Sequence, residues 1–438
     1  MSATTSNLDL FPDLHPAFNQ QAAVVEASRC LFCFDAPCTA ACPTHIDVPR
    51  FIKKISTGNV RGSALTILDA NILGLSCSRV CPVGVLCEGA CVMHRYNEKP
   101  IEIGRLQRFA MERFYDSGAK LGSAAKKRVE RVACVGAGPA SLACAAELRH
   151  QGIAVTIFEQ KPLAGGLNTY GVAEYKLRPS DSLREVEFIR KMGVEFEQIA
   201  VGTSLPLEHV EQEYQFVFLG IGLGAMNRMD IPGEDLPGVV NALKFISDYK
   251  TENRPRVGSR VVVIGGGNTA IDAANAAKRL GANEVFIAYR RTESEMPAFD
   301  FEYEHSKKEG VQFLWLTQPV ALHAKDDIVG SVECIRMEMD EPDASGRRSP
   351  RPVSGSNFLI ECDMVIPSLG QGRFTSLIEG VPGLAIHHGC VVVDRATGRT
   401  GNSKYYAGGD CVNGGREVVD AAADGKRAAL AMLQVLNG

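Results

Sequence analysis

Eight of the 14 cysteines of this chain lie within one stretch, between Cys30 and Cys91. They form two sets of four, with the spacing C-x2-C-x4-C-x3-C-P from Cys30 and C-x3-C-P-x4-C-x3-C from Cys77. Two cysteine runs of this kind, each with a Cys-Pro step, are typical of paired iron–sulfur clusters, which cysteine thiolates hold. The chemistry that these residues predict is therefore the transfer of single electrons.

Structural zinc is the main alternative interpretation of the same cysteines. All-cysteine zinc sites use two short pairs, with about two to four residues between the paired cysteines, and Cys30-x2-Cys33 is the pair that we take to fit this pattern best. We expect His45 and His94 to be surface or packing residues. The other six cysteines are scattered, and we expect them to be small buried hydrophobic residues. They are Cys134, Cys144, Cys334, Cys362, Cys390 and Cys411.

A glycine-rich stretch, Gly136–Ser141, joins the strand pattern "RVACVGAG" to the helical pattern "PASLACAAELRHQG". In such a turn the first glycine permits a tight bend, and the second lets the backbone approach a pyrophosphate at the helix N-terminus. Ser141 occupies the third glycine position, a mild departure. Glu159 ends the next strand about 20 residues later, where an acid binds ribose hydroxyls. The pattern predicts a dinucleotide site, and an ordinary turn with glycines that only relieve crowding is the alternative.

A second stretch of this kind, Gly265–Ala270, follows the strand pattern "RVVVIGGG". Here the next strand, "EVFIAYRR", ends in Arg290 and Arg291, with no acid. An arginine at this place accommodates the 2′-phosphate of NADPH, whereas an acid would repel it. The sequence therefore favours NADPH over NADH, with a solvated strand end as the alternative interpretation of the two arginines.

Gly409 and Asp410, in "YYAGGDC", give a third signal. An acidic side chain just after a glycine turn could contact the ribityl and pyrophosphate part of a flavin, and an aspartate that only caps a helix is the alternative. No Cys-x4-Cys redox pair follows Glu159, so the clusters are the obvious exit for electrons from a flavin here. A flavin converts a two-electron hydride into the single electrons that a cluster carries.

The elements that must position these residues fall into three parts. Residues 1 to about 125 show helical periodicity with little strand pattern, as in "VPRFIKKISTGNVRGSALTILDAN" and "IEIGRLQRFAMERFYDSG". A basic linker, Ala124–Arg128, follows. The strand–glycine loop–helix pattern then occurs twice, and the strand patterns "CDMVIPSLG" and "KYYAGGDC" come after the second copy. We expect the chain to leave a first nucleotide domain near residue 245 and to return near residue 366, with a polar surface loop at 340–356.

The composition is ordinary for a soluble globular protein, with 45% hydrophobic and 22% charged residues among 438. The net charge of -4 gives no indication of nucleic acid or of an anionic membrane as a partner. The first residues lack a basic and then an apolar region, and no apolar run reaches the ~18 residues that a membrane span needs. We therefore expect a cytoplasmic, reducing compartment, in which clustered cysteines bind metal or do redox chemistry.

Together these features resemble the flavin-bearing electron-input subunit of bacterial dihydropyrimidine dehydrogenase, and equally the N-terminal half of the longer animal enzyme. The resemblance spans nearly the whole chain and is carried by "ASRCLFCFDAPCTAACPTHIDVPRFI", "LGLSCSRVCPVGVLCEGACV", "IEIGRLQRFA", "VGAGPASLACAAEL", "IFEQKPLAGGL" and "YYAGGDC". The chain resembles the glutamate synthase small subunit more loosely. In that family the second cysteine run is shorter between the positions of Cys81 and Cys87, and a glutamate tends to occupy the position of Gln107.

The resemblance implies two 4Fe-4S clusters, FAD and NADPH, with NADH as the alternative because "TESEMPA" replaces a region with a further arginine in the animal enzyme. One cluster would be held by Cys30, Cys33, Cys38 and Cys91, and the other by Cys42, Cys81, Cys87 and the amide oxygen of Gln107. Spacing alone offers Cys77 as the eighth ligand instead. FAD would contact Gly136, Ala137, Gly138, Pro139, Ala140, Ser141, Glu159, Gly166, Leu167, Lys176, Gly409 and Asp410. NADPH would contact Gly266, Gly267, Asn268, Thr269, Arg290, Arg291 and Gly370.

The expected fold class is α/β. A helical iron–sulfur domain at 1–127 precedes a Rossmann-like FAD domain at 128–245 and 366–438, and an NAD(P)H domain at 246–365 is inserted into it. The expected function is an electron-input subunit that passes electrons from NAD(P)H through FAD and two clusters to a partner that carries FMN and reduces uracil or thymine. We expect no pyrimidine-binding domain in this chain. The alternatives are an electron donor of the glutamate synthase small-subunit type, a stand-alone NAD(P)H oxidoreductase and a zinc-stabilised nucleotide sensor.

Overall fold

A computed structural model of the chain describes residues 10–119, 126–251, 255–342 and 348–437. These residues form two compact units. The larger unit comprises the described parts of Asp13–Thr169, Lys176–Gly224 and Arg373–Gly438. The smaller unit comprises residues 10–12, Tyr170–Tyr175 and the described parts of Ala225–Gly372. The domain bounds expected from the sequence divide the chain more finely and stay a prediction.

The α-helices of the described residues are, in chain order, α1 Gln20–Ser28, α2 Pro37–Ala40, α3 Val48–Ser56, α4 Val60–Ala70, α5 Gly74–Val80, α6 Ile103–Asp116, α7 Pro139–His150, α8 Leu167–Tyr170, α9 Pro179–Lys191, α10 Leu207–Glu213, α11 Ala242–Thr251, α12 Asn268–Arg279, α13 Asp300–Lys308, α14 Asp410–Asn413 and α15 Val418–Asn437. Short 3-10 helices lie at Val83–Val85, Val92–Tyr96 and Glu293–Glu295.

The strands of the same residues are β1 Arg131–Val135, β2 Ala154–Glu159, β3 Glu195–Gln198, β4 Phe216–Leu219, β5 Arg260–Ile264, β6 Glu284–Ala288, β7 Gln312–Leu314, β8 Thr317–Lys325, β9 Ile328–Met339, β10 Pro350–Pro352, β11 Phe358–Glu361, β12 Met364–Pro367, β13 Ile386–His387, β14 Cys390–Val391 and β15 Tyr405–Ala407.

The N-terminal part of the larger unit is helical, and residues 10–119 contain no β-strand. Helices α3 and α4 begin after polar residues whose side chains accept free backbone N–H groups. The side chain of Asp47 accepts the N–H of Arg50 at the start of α3, and Asn59 accepts the N–H of Gly62 at the start of α4. Each cap fixes where a helix begins, and the cysteine loops lie between these helices.

The larger unit also contains a five-stranded parallel sheet, with the strand order β15-β4-β1-β2-β3. Alternate residues of β1 face two different hydrophobic cores. Val132 and Cys134 belong to the core that also contains the N-terminal helices, and Ala133 and Val135 belong to the core on the other side. Because both faces are covered, the strand reads as a continuous apolar run. The shared core joins the cysteine-bearing helices to the sheet.

The smaller unit contains a second parallel sheet, with the order β12-β5-β6-β7. A separate antiparallel sheet, in which β9 pairs with β8, β10 and β11, packs in the same unit. Helix α12 follows β5 directly and contacts β5, β6 and α11. The unit therefore repeats the strand–turn–helix–strand order of the first sheet.

The predicted fold class is confirmed. A helical N-terminal part precedes two parallel, Rossmann-like sheets, and the strands of the second sheet lie in the chain between β4 and β15 of the first. In the part of the chain that the structure describes, no helix has the length and apolar character that a membrane crossing requires.

Two local predictions about strands need correction. Strand β6 ends at Ala288 and not at the arginine pair, because Ala288 is paired with the last residue of each neighbouring strand, Ile264 and Leu314. The predicted surface loop at 340–356 contains a strand, Pro350–Pro352, which pairs with β9. Prolines are accepted at such a sheet edge because their missing N–H groups need no partner there. Residues 343–347 of that loop lie outside the described residues.

Of the six scattered cysteines, Cys390 is half-buried, whereas the other five are buried as predicted. It lies in the two-residue strand β14, where less structure covers it. His45 and His94 are both exposed, in agreement with the prediction that they are surface residues. The first residues of the predicted basic linker, 124 and 125, lie outside the described residues.

Candidate functional site: two cysteine groups and two glycine-rich edges

Four cysteines from distant parts of the sequence line one cavity. They are Cys30, Cys33, Cys38 and Cys91. The first three are half-buried and Cys91 is buried. Apolar side chains complete the wall, among them Val48, Ile52, Met93 and Ile103. The structure thus brings together the four residues that the resemblance assigns to one cluster, although their role as ligands stays a prediction.

The second cysteine group surrounds the end of α5. Cys81 follows this helix directly, and the charge states of Cys87 and Cys42 both affect its ionisation, so the three thiols lie near one another. Cys77, one turn earlier on α5, also contacts the Cys81 thiol, and its Sγ accepts a hydrogen bond from Asn71 Nδ2 over 3.2 Å. Spacing and geometry therefore keep Cys77 as a candidate ligand.

Gln107 is the other candidate for the eighth ligand. It lies on α6 and is buried, with 7% of its surface exposed. Its Nε2 donates a hydrogen bond to the carbonyl oxygen of Gly74, the first residue of α5, over 2.7 Å. Its Oε1 accepts no hydrogen bond within the described residues. An amide held by its nitrogen leaves an oxygen available to a metal, so Gln107 fits the predicted role, which stays a prediction.

The thiols of both groups lie in surroundings that disfavour a bare thiolate. Burial raises the pKa of Cys38 to about 11 and also raises the pKa of Cys30 and of Cys87. The pKa of Cys81 is raised by its hydrogen bond with Cys77 and then by burial. Such thiols stay protonated at neutral pH unless a metal replaces the proton. Binding of a metal to these cysteines would therefore have to release their protons.

The arrangement of these side chains can be compared with what a cluster and a single zinc ion each require. Within residues 10–119 and the other described ranges, no three His, Cys, Asp or Glu side chains are grouped so as to hold one metal ion. Four cysteines around a cavity, rather than around a point, fit a multi-iron cluster better than the tetrahedral zinc site that was the alternative.

The first glycine-rich turn lies at the carboxyl edge of the five-stranded sheet. Gly136 follows β1 with φ +88°, and a Cβ there would lie 2.6 Å from the carbonyl oxygen of Gly220. A Cβ on Gly138 would meet only that same oxygen, at 3.9 Å, and would otherwise face open space. Gly138 precedes α7 without a side-chain cap, so the first N–H groups of α7 are available to a ligand. The turn has the room and the donors that a pyrophosphate requires.

The other predicted FAD residues surround this turn in part. Gly166 approaches it so closely that a Cβ there would lie 2.8 Å from the Cα of Gly138, and a Cβ on Gly409 would lie 3.1 Å from the Cβ of Ala140. Ser141 faces the sheet instead: it is fully buried against Gly220, and within the described residues its hydroxyl has no hydrogen-bond partner. Ser141 therefore fits the packing role of the third glycine position.

The acidic residues near the turn are held by backbone groups. Glu159, at the end of β2, accepts the N–H of Ala137 over 2.8 Å and the N–H of Lys161 over 2.8 Å. Burial raises the pKa of Asp410, whose carboxylate accepts the N–H of Arg416. Leu167 begins α8 and is partly exposed, and Lys176 is buried. These positions lie in four separate parts of the larger unit, and their roles as FAD contacts stay predictions.

The second glycine-rich turn lies at the corresponding edge of the smaller unit. Gly265 follows β5 with φ +136°, and a Cβ there would lie 2.3 Å from the carbonyl oxygen of Ser368. A Cβ on Gly266 would meet the ring of Tyr289 at 2.7 Å, whereas one on Gly267 would meet no heavy atom within 4 Å. Gly267 precedes α12 without a side-chain cap. This turn also leaves room and N–H donors for a phosphate group.

Arg290 and Arg291 lie two and three residues beyond the end of β6. Arg290 is exposed and Arg291 is half-buried. Neither forms an ion pair within the described residues, and the Nε of Arg291 is buried there without a hydrogen-bond partner. Asn268 accepts the N–H of Phe299 through Oδ1 over 3.0 Å, Thr269 is half-exposed, and Gly370 follows β12 with φ +76°. Two uncompensated guanidinium groups at this edge fit an anionic ligand.

Arg79 is a residue of this region that the sequence did not single out. It lies on α5, two residues before Cys81, and its guanidinium is 2% exposed. Its Nε donates to the carbonyl oxygen of Lys176 over 2.9 Å, and its other nitrogens lie 2.6 Å from Asp13 and 3.4 Å from Asp181. Arg79 thereby joins the helix that leads to Cys81 to the backbone of a predicted FAD contact. An arginine inside a short helix gives no sequence signal of such a link.

Asp424 is a second residue that sequence reasoning passed over. It lies on α15 and accepts the N–H of Gly409 through Oδ2 over 3.0 Å. The hydrogen bond fixes the turn that carries Gly409 and Asp410. A carboxylate within the alanine-rich pattern "VVDAAADGKRAAL" was the available signal.

Two family models match consecutive parts of the chain. Residues 7–119 match the model described as "Dihydroprymidine dehydrogenase domain II, 4Fe-4S cluster", and residues 130–425 match "Pyridine nucleotide-disulphide oxidoreductase". The first match covers both cysteine groups, and the second covers both glycine-rich turns.

Similar full-length proteins are bacterial oxidoreductases. The chain is 35% identical to "Glutamate synthase [NADPH] small chain" of Escherichia coli, over 96% of this chain and 92% of that protein. It is 36% identical to "Putative oxidoreductase AegA" of Escherichia coli, over 98% of this chain and 68% of that protein. It is 36% identical to "NADP(+)-dependent formate dehydrogenase subunit beta" of Moorella thermoacetica, over 92% of this chain and 60% of that protein.

Solved structures share the fold of about 70% of the chain. FprA of Mycobacterium tuberculosis in complex with NADPH matches with a TM-score of 0.58 at 22% identity, over 71% of this chain and 85% of that chain. Thioredoxin reductase of T. acidophilum matches with a TM-score of 0.55 at 20% identity, over 70% of this chain and 98% of that chain. At these identities the likeness establishes the fold alone.

Proposed function

The chain belongs to the glutamate synthase small-subunit-like family of flavin and iron–sulfur oxidoreductases, and from that premise we propose that it is the electron-input subunit of a larger enzyme. It takes reducing equivalents from NADPH at the smaller unit and delivers them, through the cysteine-bearing part, to a partner protein. The observation that carries this proposal is the presence of two glycine-rich turns and two cysteine groups in one chain, with Arg79 linking one cysteine helix to the Lys176 loop.

The residues of the smaller unit bind and orient the nicotinamide nucleotide. The N–H groups at the start of α12 receive its pyrophosphate next to Gly267, and Arg290 and Arg291 pair with its 2′-phosphate. The absence of an ion pair for either arginine within the described residues supports this role. An acid at the same place would select NADH, so the pair favours NADPH.

The residues of the larger unit hold a flavin and two clusters. Gly136, Gly138 and the start of α7 receive the FAD pyrophosphate, and Glu159 accepts hydrogen bonds from ribose hydroxyls. The bound FAD supplies the change from two-electron hydride chemistry to the single electrons that iron–sulfur clusters carry. The two cysteine groups, with Gln107 as the eighth ligand, hold these clusters as two 4Fe-4S centres. The apolar side chains around the first group keep water from its sulfur atoms.

For the partner we propose a subunit that carries FMN and reduces uracil or thymine to the 5,6-dihydropyrimidine. The motif resemblance, including a glutamine at position 107, supports this choice, and so does the match of residues 7–119 to a dihydropyrimidine dehydrogenase model. Relatives whose printed names call them a small chain or a subunit beta support a hetero-oligomer.

A glutamate-forming partner is the second candidate. The observation that favours it is the match to the Escherichia coli glutamate synthase small chain, which this chain covers over 92% of its length. The two candidate partners would use electrons from the same donor for different reactions. Two relatives are longer than this chain, which spans 68% of one and 60% of the other.

Purification of the native complex decides between the partners. We expect the tagged chain to copurify with one second subunit, and the mixture to convert uracil to dihydrouracil with NADPH. Glutamate formation from glutamine and 2-oxoglutarate, without uracil reduction, would replace the first partner with the second.

The chain alone should contain about eight irons, as two 4Fe-4S clusters require, and one FAD. Stoichiometric zinc without iron would contradict the proposal.

A further inference from the structure

Helix α5, which leads from Gly74 to Cys81, receives its N-terminal cap from another helix. Leu73 precedes it and offers no side-chain cap. Glu185, on α9, supplies the acceptor instead: its Oε1 accepts the N–H of Leu75 over 2.8 Å and the N–H of Ser76 over 3.1 Å. The hydroxyl of Ser76 donates to the other oxygen, Oε2. An acceptor at this place satisfies the free N–H groups of a helix start.

The capping carboxylate is enclosed by protein. Glu185 is 1% exposed, and both residues that it caps are fully buried. A buried carboxyl group is costly unless hydrogen bonds replace its water, and its three hydrogen bonds to α5 do so. Removal of the carboxylate would leave two buried N–H groups without an acceptor, so the first turn of α5 would have to move to find other partners.

The same turn of α5 also fixes Gln107. The carbonyl oxygen of Gly74 accepts the hydrogen bond from Gln107 Nε2 over 2.7 Å, and this bond sets the orientation of the amide. Glu185 therefore acts on Gln107 through one helical turn. At the other end of α5, Arg79 binds the Lys176 carbonyl. The two groups that hold α5 are therefore the backbone of Lys176, which is a predicted FAD contact, and Glu185 on α9, which begins three residues after Lys176.

We propose that Glu185 is a positioning residue for the cluster assigned to Cys42, Cys81, Cys87 and Gln107. By capping α5 it holds Gly74 where its carbonyl orients the Gln107 amide, and it holds Cys81 at the far end of the same helix. Groups that orient metal ligands without touching the metal tune affinity and potential in other metal sites. The inference rests on the proposed cluster assignment, and it adds a residue that makes no contact with the cluster.

The test compares substitutions at Glu185 with a matched control on the same helix. Glu185→Leu removes both acceptors at nearly constant size. After anaerobic reduction with dithionite, we expect one of two cluster EPR signals to change shape or disappear, with iron falling from about eight toward about four per chain. FAD content should stay at the wild-type level. Glu187→Leu, at an exposed position on α9, should leave both signals unchanged.

Rescue by a conservative variant separates positioning from general stability. In Glu185→Gln the amide oxygen still accepts the two N–H groups, so the wild-type signals should return. If Glu185→Leu only lowers the thermal midpoint while both signals and the iron content stay unchanged, the proposal is overturned. If Glu185→Leu does not accumulate as folded protein, Glu185→Asp is measured instead. Its side chain is shorter by one methylene, which moves the acceptor away from the N–H groups of Leu75 and Ser76. A change in one cluster signal then supports the proposal, and two wild-type signals overturn it.

The iron content of the wild-type protein keeps this inference distinct from the proposed function. A wild-type chain with two clusters and an insensitive Glu185→Leu variant overturns the positioning role alone. A wild-type chain without iron overturns the proposed function and the positioning role with it.

Discussion

The backbone N–H of Ala137 donates a hydrogen bond to Glu159 Oε2 over 2.8 Å. This bond ties the glycine-rich turn after β1 to the acid that ends β2, two strands that lie side by side in the sheet. The acid therefore holds the shape of the turn in addition to any contact with a ribose. The turn and the acid form one preorganised binding edge before a nucleotide arrives.

The open space at Gly138 predicts how a larger side chain there affects FAD binding. Its backbone, at φ -76° and ψ 177°, is accessible to any residue, and a Cβ there would meet only the Gly220 oxygen, at 3.9 Å. Gly138→Val should therefore fold but should lose most of its FAD, because the side chain fills the space that a pyrophosphate needs. The absorbance of bound flavin per chain after purification measures the loss. Gly267→Val, in the second turn, is the control and should keep its FAD; equal FAD in both variants would contradict the assignment.

The eighth cluster ligand can be assigned by two substitutions. Gln107→Leu should damage the cluster held by Cys42, because it removes the amide oxygen, whereas Cys77→Ala should leave both clusters assembled. Iron content and EPR spectra of the reduced proteins measure the outcome. The reverse result, with an intact Gln107→Leu variant and a damaged Cys77→Ala variant, would show that simple cysteine spacing was the better guide.

The arginine pair predicts nucleotide preference. Charge-assisted hydrogen bonds are worth about 1.5–3 kcal/mol, so replacing Arg290 and Arg291 by alanine should raise the KM for NADPH by about 10- to 100-fold. The KM for NADH should change little. Steady-state dye reduction with each nucleotide gives both values. An equal rise for both nucleotides would mean that the pair does not read the 2′-phosphate, and a wild-type preference for NADH would overturn the assignment.

The buried carboxyl of Glu185 predicts a dependence of stability on pH. Burial raises its pKa from 4.5 to about 8. The folded protein thus keeps a proton on this carboxyl at pH values where the unfolded chain has lost it. The resulting stabilisation is complete below about pH 4.5 and is lost as the pH rises through about 8. Each pKa unit corresponds to about 1.4 kcal/mol, so the change amounts to several kcal/mol.

The measurement compares wild type with Glu185→Gln, which cannot titrate. Between about pH 6 and about pH 9, the thermal midpoint of the wild type should fall relative to that of the variant, by the linkage relation above. Glu187→Gln, at an exposed position of the same helix, should follow the wild type. Parallel curves for wild type and Glu185→Gln would show that this carboxyl has an ordinary pKa.

Much of the fold follows from local sequence patterns. The apolar runs of β1 and β5, each followed by glycines and a helix, predict parallel sheets, because only strands covered on both faces are apolar throughout. The cysteine spacing predicts only part of the first cavity, because Cys30, Cys33 and Cys38 lie close together in the sequence. Cys91 joins them only through tertiary packing, and there the resemblance supplied what spacing alone left open.

The links between elements could not be read from the sequence. Glu185 lies 109 and 110 residues from the two N–H groups that it accepts, and Arg79 lies 97 residues from the Lys176 carbonyl. Both have the appearance of ordinary charged helix residues, and tertiary packing, including that of α5 against α9, buries them. For a related reason the strand pattern predicts an end of β6 at Arg291, beyond its actual end at Ala288, because the length of a strand depends on where its neighbours end.

The central claim is that electrons leave this chain through its cysteine-held clusters. The most direct measurement compares two rates in the wild type and in Cys81→Ala: NADPH-dependent reduction of a dye that accepts electrons from FAD, and NADPH-dependent uracil reduction in the presence of the FMN-bearing partner. The predicted result is that Cys81→Ala abolishes the coupled rate and largely spares the dye rate. A coupled rate that survives the loss of the clusters, or uracil reduction by the isolated chain, would contradict the claim.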